Sequence, residues 1–133
     1  MIEKIIVKGT LLALIIRKNF NKEGVNFITS KESPLQLGVS RYAKNTSIAC
    51  HVHKNWARYI KTTQEIIYIV EGKARVDLFF KNKKVITKIL KPKDSILLMG
   101  AHALKFLTNT KIIEIKQGPY IDKKKDKNYL RIK

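Results

Sequence analysis

Short apolar runs recur along the whole chain, each ending at a glycine, proline, asparagine, aspartate or lysine. They are rich in Ile, Val, Phe, Tyr and Thr, and the three-to-four-residue period of an amphipathic helix is hard to find. The predicted strands are IEKIIVK, LLALIIR, PLQLGVSRY, TSIACHVH, EIIYIV, ARVDLFF, KVITKIL, SILLM, ALKFL and KIIEIKQ. Many short strands with tight turns predict an all-β, single-domain antiparallel β-barrel.

Three turns are the clearest signals between these strands. Gly72 lies between EIIYIV and ARVDLFF, where it can adopt the positive φ that a tight reversal needs. Further reversals are predicted at residues 81–84 and 91–94, which hold Asn82 and Pro92. Because EIIYIV is apolar on both faces, we expect it to be an internal strand.

The chain length predicts one domain. With 133 residues, the chain can bury a core without disulfides. We expect the barrel to span residues 1–121 and a basic C-terminal tail to span residues 122–133, with Tyr129, Leu130 and Ile132 available for docking.

The location is predicted by what the sequence lacks. No run approaches the roughly 18 apolar residues of a membrane-spanning helix, and the N-terminal residues do not resemble a signal peptide. The single cysteine, Cys50, cannot form an internal disulfide. These features predict a cytoplasmic protein that does not enter the membrane.

The net charge of +18 suggests an anionic partner. Nucleic acid is disfavoured, because only 5 of the 28 basic residues are arginine, the lysines are dispersed, and no nucleic-acid-binding motif accompanies them. A basic surface of this kind predicts attraction of anionic small molecules.

The candidate chemistry lies in CHVHKNWARYIKTTQEIIYIVEG, residues 50–72. On a strand, His51 and His53 project from one face and Cys50 from the other, so the imidazoles are a possible pair of metal ligands. Glu65 begins the next predicted strand, EIIYIV, and shares a face with apolar residues of that strand. His102, the third histidine, follows Gly100 at a predicted bend. Histidine and carboxylate ligands suit Zn, Fe, Mn or Ni.

These residues resemble the cupin superfamily. The first cupin motif, HxH…E(x)6G, is similar to His51, His53, Glu65 and Gly72, and the second is similar to the stretch from Lys93 to His102. TTQEIIYIVEGKARVD, the GAH bend and the closing KQGPY are similar to a group of small cupins without an established activity. The resemblance implies a jelly-roll-like barrel, also called a double-stranded β-helix. It further implies one divalent metal held by three histidines and a glutamate: His51, His53, Glu65 and His102.

Eleven residues, 54–64, separate His53 from Glu65 and form an insertion beside this site. Arg58 in the insertion is a candidate clamp for a phosphate or carboxylate, and Trp56 is a candidate stacking residue. The alternative is that none of these residues has a chemical role. Arg58 and Trp56 then lie on a mobile surface loop, His51 and His53 are a polar pair at the barrel mouth, and Glu65 is solvated.

The resemblance implies that the protein is an isomerase or epimerase acting on a small anionic or sugar-like molecule, with His51, Glu65 and Arg58 as catalytic residues. One alternative is a metal-independent nucleotide-sugar epimerase or ketoisomerase in which His51 or His53 is the general base. Another is a small-ligand-binding cupin without catalysis. We expect a homodimer formed by strand exchange, for which the N-terminal LLALII run is a candidate.

Overall fold

The computed structural model describes residues 1–133. The chain is all-β apart from one short helix. Its elements are β1 (Ile2–Val7), β2 (Thr10–Ile16), β3 (Gly24–Phe27), β4 (Gly38–Arg41), β5 (Glu65–Glu71), β6 (Ala74–Phe80), β7 (Lys83–Leu90), β8 (Ser95–Leu98), β9 (His102–Phe106), β10 (Lys111–Lys116) and α1 (Lys123–Asp126). No helix of the chain combines the length and the apolar character that crossing a membrane requires.

The chain divides into two compact units. The first unit comprises Met1–Phe20 and Thr63–Lys133, and the second comprises Asn21–Thr62. The first unit contains both of the larger sheets, and the C-terminal residues belong to it. The domain boundary that the sequence suggests after residue 121 stays a prediction.

The first unit has two antiparallel sheets. One has the strand order β1-β2-β8-β5-β10 and the other has the order β7-β6-β9. Their inner faces share one hydrophobic core, in which Ile67 and Ile96 of the first sheet join Val76 and Leu78 of the second. Neither sheet closes into a barrel. The all-β prediction is therefore confirmed, whereas the closed barrel stays a prediction.

The predicted turns are confirmed. Gly72 has φ +85°, and Lys81 and Asn82 between β6 and β7 have φ +48° and +59°. Residues 91–94 form the turn before β8, and Lys93 has φ +72° there. A positive φ at two successive residues is the signature of a type I′ hairpin, whose twist matches that of the flanking strands.

A polar network fixes the turn before β8. Asp94 is 3% exposed, and its carboxylate accepts hydrogen bonds from Lys18 N at 3.0 Å, Lys91 N at 2.9 Å and Arg17 Nη1 at 2.9 Å. Arg17 also donates to Glu3 at 2.6 Å. This aspartate therefore has a structural role, because it satisfies backbone donors that are otherwise left without a partner.

The second unit contains one hairpin, in which β3 pairs with β4. The predicted strand over TSIACHVH, residues 46–53, is wrong, since no hydrogen-bonded ladder includes these residues. The strand-like composition is present, but a strand exists only where a neighbour pairs with its backbone groups.

The N-terminal run LLALII forms most of β2. This strand lies between β1 and β8, and Ala13 and Ile15 are fully buried. Both edges of β2 are thus paired within its own chain, so the run offers no free edge for strand exchange.

Candidate functional site

Glu65 is the first residue of β5, which is an internal strand as predicted. It lies opposite Leu98 of β8 and Lys116 of β10. Side chains alternate along the strand, so Glu65 shares the core face with Ile67 and Ile69. Both isoleucines are fully buried, and the Glu65 side chain is 20% exposed. Glu65 therefore shares a face with apolar residues of its strand, as side-chain alternation predicted.

His102 reaches Glu65 because the chain crosses from one sheet to the other. β8 ends next to Glu65, and residues 99–101 carry the chain over to β9, which begins at His102. The His102 Nε2 atom lies 3.3 Å from Glu65 Oε2, and its Nδ1 atom lies 2.8 Å from the Gly100 carbonyl oxygen. The structure therefore brings together two of the four predicted metal ligands.

His102 and Glu65 are placed to share one proton. The Nδ1–H of His102 donates to the carbonyl of Gly100, so Nε2 faces Glu65 either as a donor in the imidazolium or as an acceptor from a protonated carboxyl. Both arrangements hold the same number of protons, which differ only in position. A donor–acceptor pair of this kind can deliver a proton to a ligand and take one from it.

The pKa values favour the charged form of the pair. The hydrogen bond from His102 lowers the pKa of Glu65 below its usual 4.5 and outweighs burial, while Glu114 and Lys116 lower it further. Burial lowers the pKa of His102, but the hydrogen bonds to Glu65 and to the Gly100 carbonyl outweigh burial and raise the pKa above 6.5. At neutral pH, the carboxylate is thus ionised and the imidazole has an increased charged fraction.

Glu114 belongs to the same face. It pairs with Ile67 in the register of β10 against β5, which places it on the side of the core. From its place in KIIEIK alone, Glu114 is either an outward residue of the strand or a partner for a ligand histidine. The register places Glu114 on the inner face, where it contributes a second carboxyl group beside Glu65.

A hydrogen bond fixes the start of β5. The Gln117 Oε1 atom accepts from the backbone N–H of Gln64 at 2.6 Å, and Gln64 is 8% exposed. Gln117 follows β10 directly, so this bond joins the two strand ends that carry Glu65 and Glu114. Gln117 therefore anchors the end of β10 to the start of β5.

A cavity of about 570 Å³ opens onto the pair. Its lining includes Glu65, His102 and Glu114, with apolar contributions from Phe79 and Leu104. Ligand sites are commonly 300–1,000 Å³, mostly apolar and equipped with a few convergent polar groups. The cavity has both the size and the lining of such a site.

The C-terminal segment completes the cavity lining. Lys127, Asn128, Tyr129, Leu130 and Ile132 all border it. Tyr129, Leu130 and Ile132 are the residues that the sequence offers for docking, but they remain 77%, 46% and 51% exposed, so their docking stays a prediction. The contribution of Lys127 and Asn128 was missed, because a run of lysines next to a chain end reads as a solvated tail.

His51 and His53 belong to the second unit. Both are exposed, and their ring centroids are 5.3 Å apart at an angle of 72°. The His51 Nδ1 atom lies 2.8 Å from the Ala49 carbonyl oxygen. The two imidazoles are neighbours, as the i, i+2 spacing predicted, although the segment that carries them is not a strand.

The insertion also belongs to the second unit. The Arg58 guanidinium carbon lies 3.8 Å from the centroid of the Trp56 ring, which is a cation–π contact. These two residues and His53 line an open depression of about 460 Å³. The structure thus pairs the predicted clamp with the predicted stacking residue, and their role in catalysis stays a prediction.

The predicted metal centre stays a prediction. No group of three or more His, Cys, Asp or Glu side chains in the chain is arranged to hold a metal ion. The 3.3 Å separation of His102 Nε2 and Glu65 Oε2 nevertheless fits two ligands of one cation, because metal–ligand bonds of about 2.1 Å set tetrahedral neighbours about 3.4 Å apart. The bond from Nδ1 to a carbonyl is also the usual orientation of a ligand histidine.

Comparisons of the chain with protein-family models, curated proteins and solved structures find no match.

Proposed function

We propose that the cavity of the first unit binds a small anionic or sugar-like molecule and that Glu65 and His102 exchange protons with it in an isomerase or epimerase type of reaction. The supporting observation is the 3.3 Å contact between Glu65 and His102 at the cavity wall. In this proposal His102 replaces His51 and His53 as the acid–base histidine, since it contacts a carboxylate at a cavity.

Each group has a defined task in the reaction. The imidazolium of His102 donates a proton to a carbonyl oxygen, and the carboxylate of Glu65 removes a proton from the adjacent carbon, which yields an enediol. His102 then takes back a proton from the second hydroxyl, while Glu65 returns its proton to the other carbon. The two steps conserve protons and move the carbonyl group by one carbon.

A bound ligand improves the base. The low pKa of Glu65 makes it a weak base in the free protein. A ligand that fills the cavity excludes water from the carboxylate, and desolvation raises the pKa of such a group. The acid–base pair is therefore best matched in the complex, where it is needed.

Hydrogen exchange tests this reaction. Sugar phosphates and nucleotide-diphosphate sugars are incubated with the protein in D2O, and mass spectrometry measures deuterium at the carbon next to the carbonyl. We expect exchange with the wild type and a loss of at least ~100-fold in Glu65→Gln and His102→Gln. Glu71→Gln, at the exposed opposite end of β5, is the matched control and retains exchange.

Two outcomes contradict the proposal. One is equal exchange rates in the wild type and both site variants. The other is binding of a ligand in the cavity without exchange, which favours a binding protein without catalysis. Circular dichroism of each variant verifies that the fold is retained.

A second candidate function uses a divalent metal. We propose Fe, Mn, Ni or Zn held by His51, His53, Glu65 and His102, and the spacing of the last two supports it. The cation would supply a Lewis acid for the carbonyl. The proposal requires the two histidines of the second unit to join the pair.

Metal analysis of the purified protein separates the two candidates. The metal proposal expects about one equivalent, lost in His51→Ala and in His53→Ala. A metal content below about a tenth of an equivalent, with no binding on reconstitution, contradicts the metal proposal. The metal-independent reaction survives that outcome.

We also propose that the two sheets of the first unit belong to a cupin-type barrel and that the protein is a homodimer. Antiparallel strands around one core and the motif resemblance support the barrel. Ile113 and Ile115 on the edge strand β10 are each 51% exposed, which supports self-association. Light scattering after size exclusion gives the mass, and a monomer contradicts the dimer.

A further inference from the structure

One wall of the cavity is formed by residues that have no task in the proposed proton transfer. Residues 127–130 and 132 border it, and two contacts join the C-terminal segment to the rest of the first unit. Asp126 accepts from Lys116 Nζ at 2.9 Å, and Lys133 N donates to the Asn82 carbonyl at 2.9 Å. Within the segment, Asp122 caps α1 by accepting from Lys125 N at 2.9 Å. The segment is therefore joined to the first unit on both sides of the residues that line the cavity.

This wall is rich in hydrogen-bond donors. Lys127 contributes an ammonium group with three donors, Asn128 an amide with two, and Tyr129 a phenol with one. The Lys123 ammonium lies 5.4 Å from the centroid of the Tyr129 ring and adds positive charge nearby. No carboxylate forms an ion pair with Lys127.

Lys127 lines the same cavity as Glu65 and His102. A lysine that has no acidic partner and faces a ligand-sized cavity is available for an anion. A phosphoryl group, with three oxygens and about two negative charges, satisfies more of these donors than a carboxylate does.

We propose that Lys127, with Asn128 and Tyr129, binds a phosphoryl group of the ligand, so that the substrates are small phosphorylated molecules. This inference rests on the proposed function and specifies its substrate class. The bound phosphoryl group lies next to Lys127, and the carbonyl carbon lies next to Glu65 and His102. The net charge of +18 adds long-range attraction for a dianion.

The test uses inorganic phosphate as the probe. The C–H resonances of the His102 ring are followed by NMR while phosphate is titrated into wild-type protein, Lys127→Gln and Lys124→Gln. Lys124 is the matched control, because it is exposed on α1 and does not line the cavity. Acetate is titrated in parallel to separate a phosphoryl site from a general anion site.

We expect phosphate to shift the His102 resonances of the wild type and to bind about 5–10-fold more weakly to Lys127→Gln, the loss of one ionic hydrogen-bond partner at a partly solvated site. Lys124→Gln should match the wild type. Unchanged phosphate affinity in Lys127→Gln, or equally tight acetate binding, overturns the inference.

The two proposals fail separately. If Glu65→Gln retains deuterium exchange while Lys127→Gln loses phosphate affinity, the reaction is wrong and the phosphoryl site stands. If Glu65→Gln loses exchange while Lys127→Gln binds phosphate normally, the reaction stands and the phosphoryl site is wrong.

Discussion

Gly72 makes the tightest backbone contact among the glycines, and its replacement by alanine is the sharpest test of the fold. A Cβ atom at this position lies 2.3 Å from the Asn109 carbonyl oxygen, 2.5 Å from Thr110 Oγ1 and 2.7 Å from Thr110 Cα. Ordinary contacts of a Cβ atom begin near 3.4 Å, and two of these neighbours are backbone atoms that cannot rotate away. The β5–β6 hairpin must therefore move relative to the segment before β10.

The expected loss of stability has two parts. The positive φ of +85° costs an alanine about 1–2 kcal/mol. The overlap adds about 1–3 kcal/mol, the usual range for overpacking in a rigid environment. Gly72→Ala should thus lower the free energy of unfolding by about 2–5 kcal/mol, which corresponds to a decrease in Tm of about 6–20 °C.

Gly9→Ala isolates the first part. Gly9 has a similar φ of +77°, but its Cβ would have no neighbour within 4 Å. We expect a loss of only about 1 kcal/mol, because alanine also restricts the unfolded chain. Urea unfolding followed by circular dichroism gives both values. If Gly72→Ala is no more destabilising than Gly9→Ala, the close approach of the Asn109–Thr110 backbone is wrong.

Three further predictions concern the site, the polar network and the core. Because the pKa of His102 is raised in the folded state, the stability that His102 contributes is lost as the pH rises through this pKa. Because the pKa of Glu65 is lowered, the stability that Glu65 contributes is lost as the pH falls through that pKa. Urea unfolding across pH should therefore show His102→Gln most destabilised, by about 1–2 kcal/mol, between pH 4.5 and 6.5. A constant difference across pH would contradict the pairing. Asp94→Ala should lower the free energy of unfolding by about 3–5 kcal/mol, since it leaves buried donors unpaired, and a loss below about 1 kcal/mol would contradict the network. Leu78→Ala, at a fully buried position, should cost about 2–4 kcal/mol in thermal unfolding, whereas the control Leu107→Ala, at 43% exposure, should cost less than about 1; equal losses would place Leu78 outside the core.

Most of the strands could be predicted from local signals. Eight of the ten predicted runs coincide closely with strands, since β-branched alternation and turn residues are properties of the chain itself. PLQLGVSRY is only partly a strand, at Gly38–Arg41, and the short strand Gly24–Phe27 was missed because it has too few apolar residues to form a pattern. The error at TSIACHVH has the opposite cause, a strong pattern without a paired neighbour.

The candidate site could likewise be predicted only in part from the sequence. Histidine and glutamate were singled out by their scarcity and spacing, and Glu65 was placed on the correct face by strand alternation. The role of Glu114 needed the register of β10 against β5, and the contribution of Lys127 needed the docking of the C-terminal segment. Neither register nor docking is a local property.

The sequence by itself determined the strand-forming runs, the hairpin at Gly72 and the inward face of β5, because backbone sterics and side-chain alternation act between neighbours in the chain. Only the tertiary structure decided that His102 meets Glu65 and that Lys127 borders the same cavity. Those contacts join residues 37 and 62 positions apart, and they form because burying the two sheets against each other in one core fixes where distant strand ends lie.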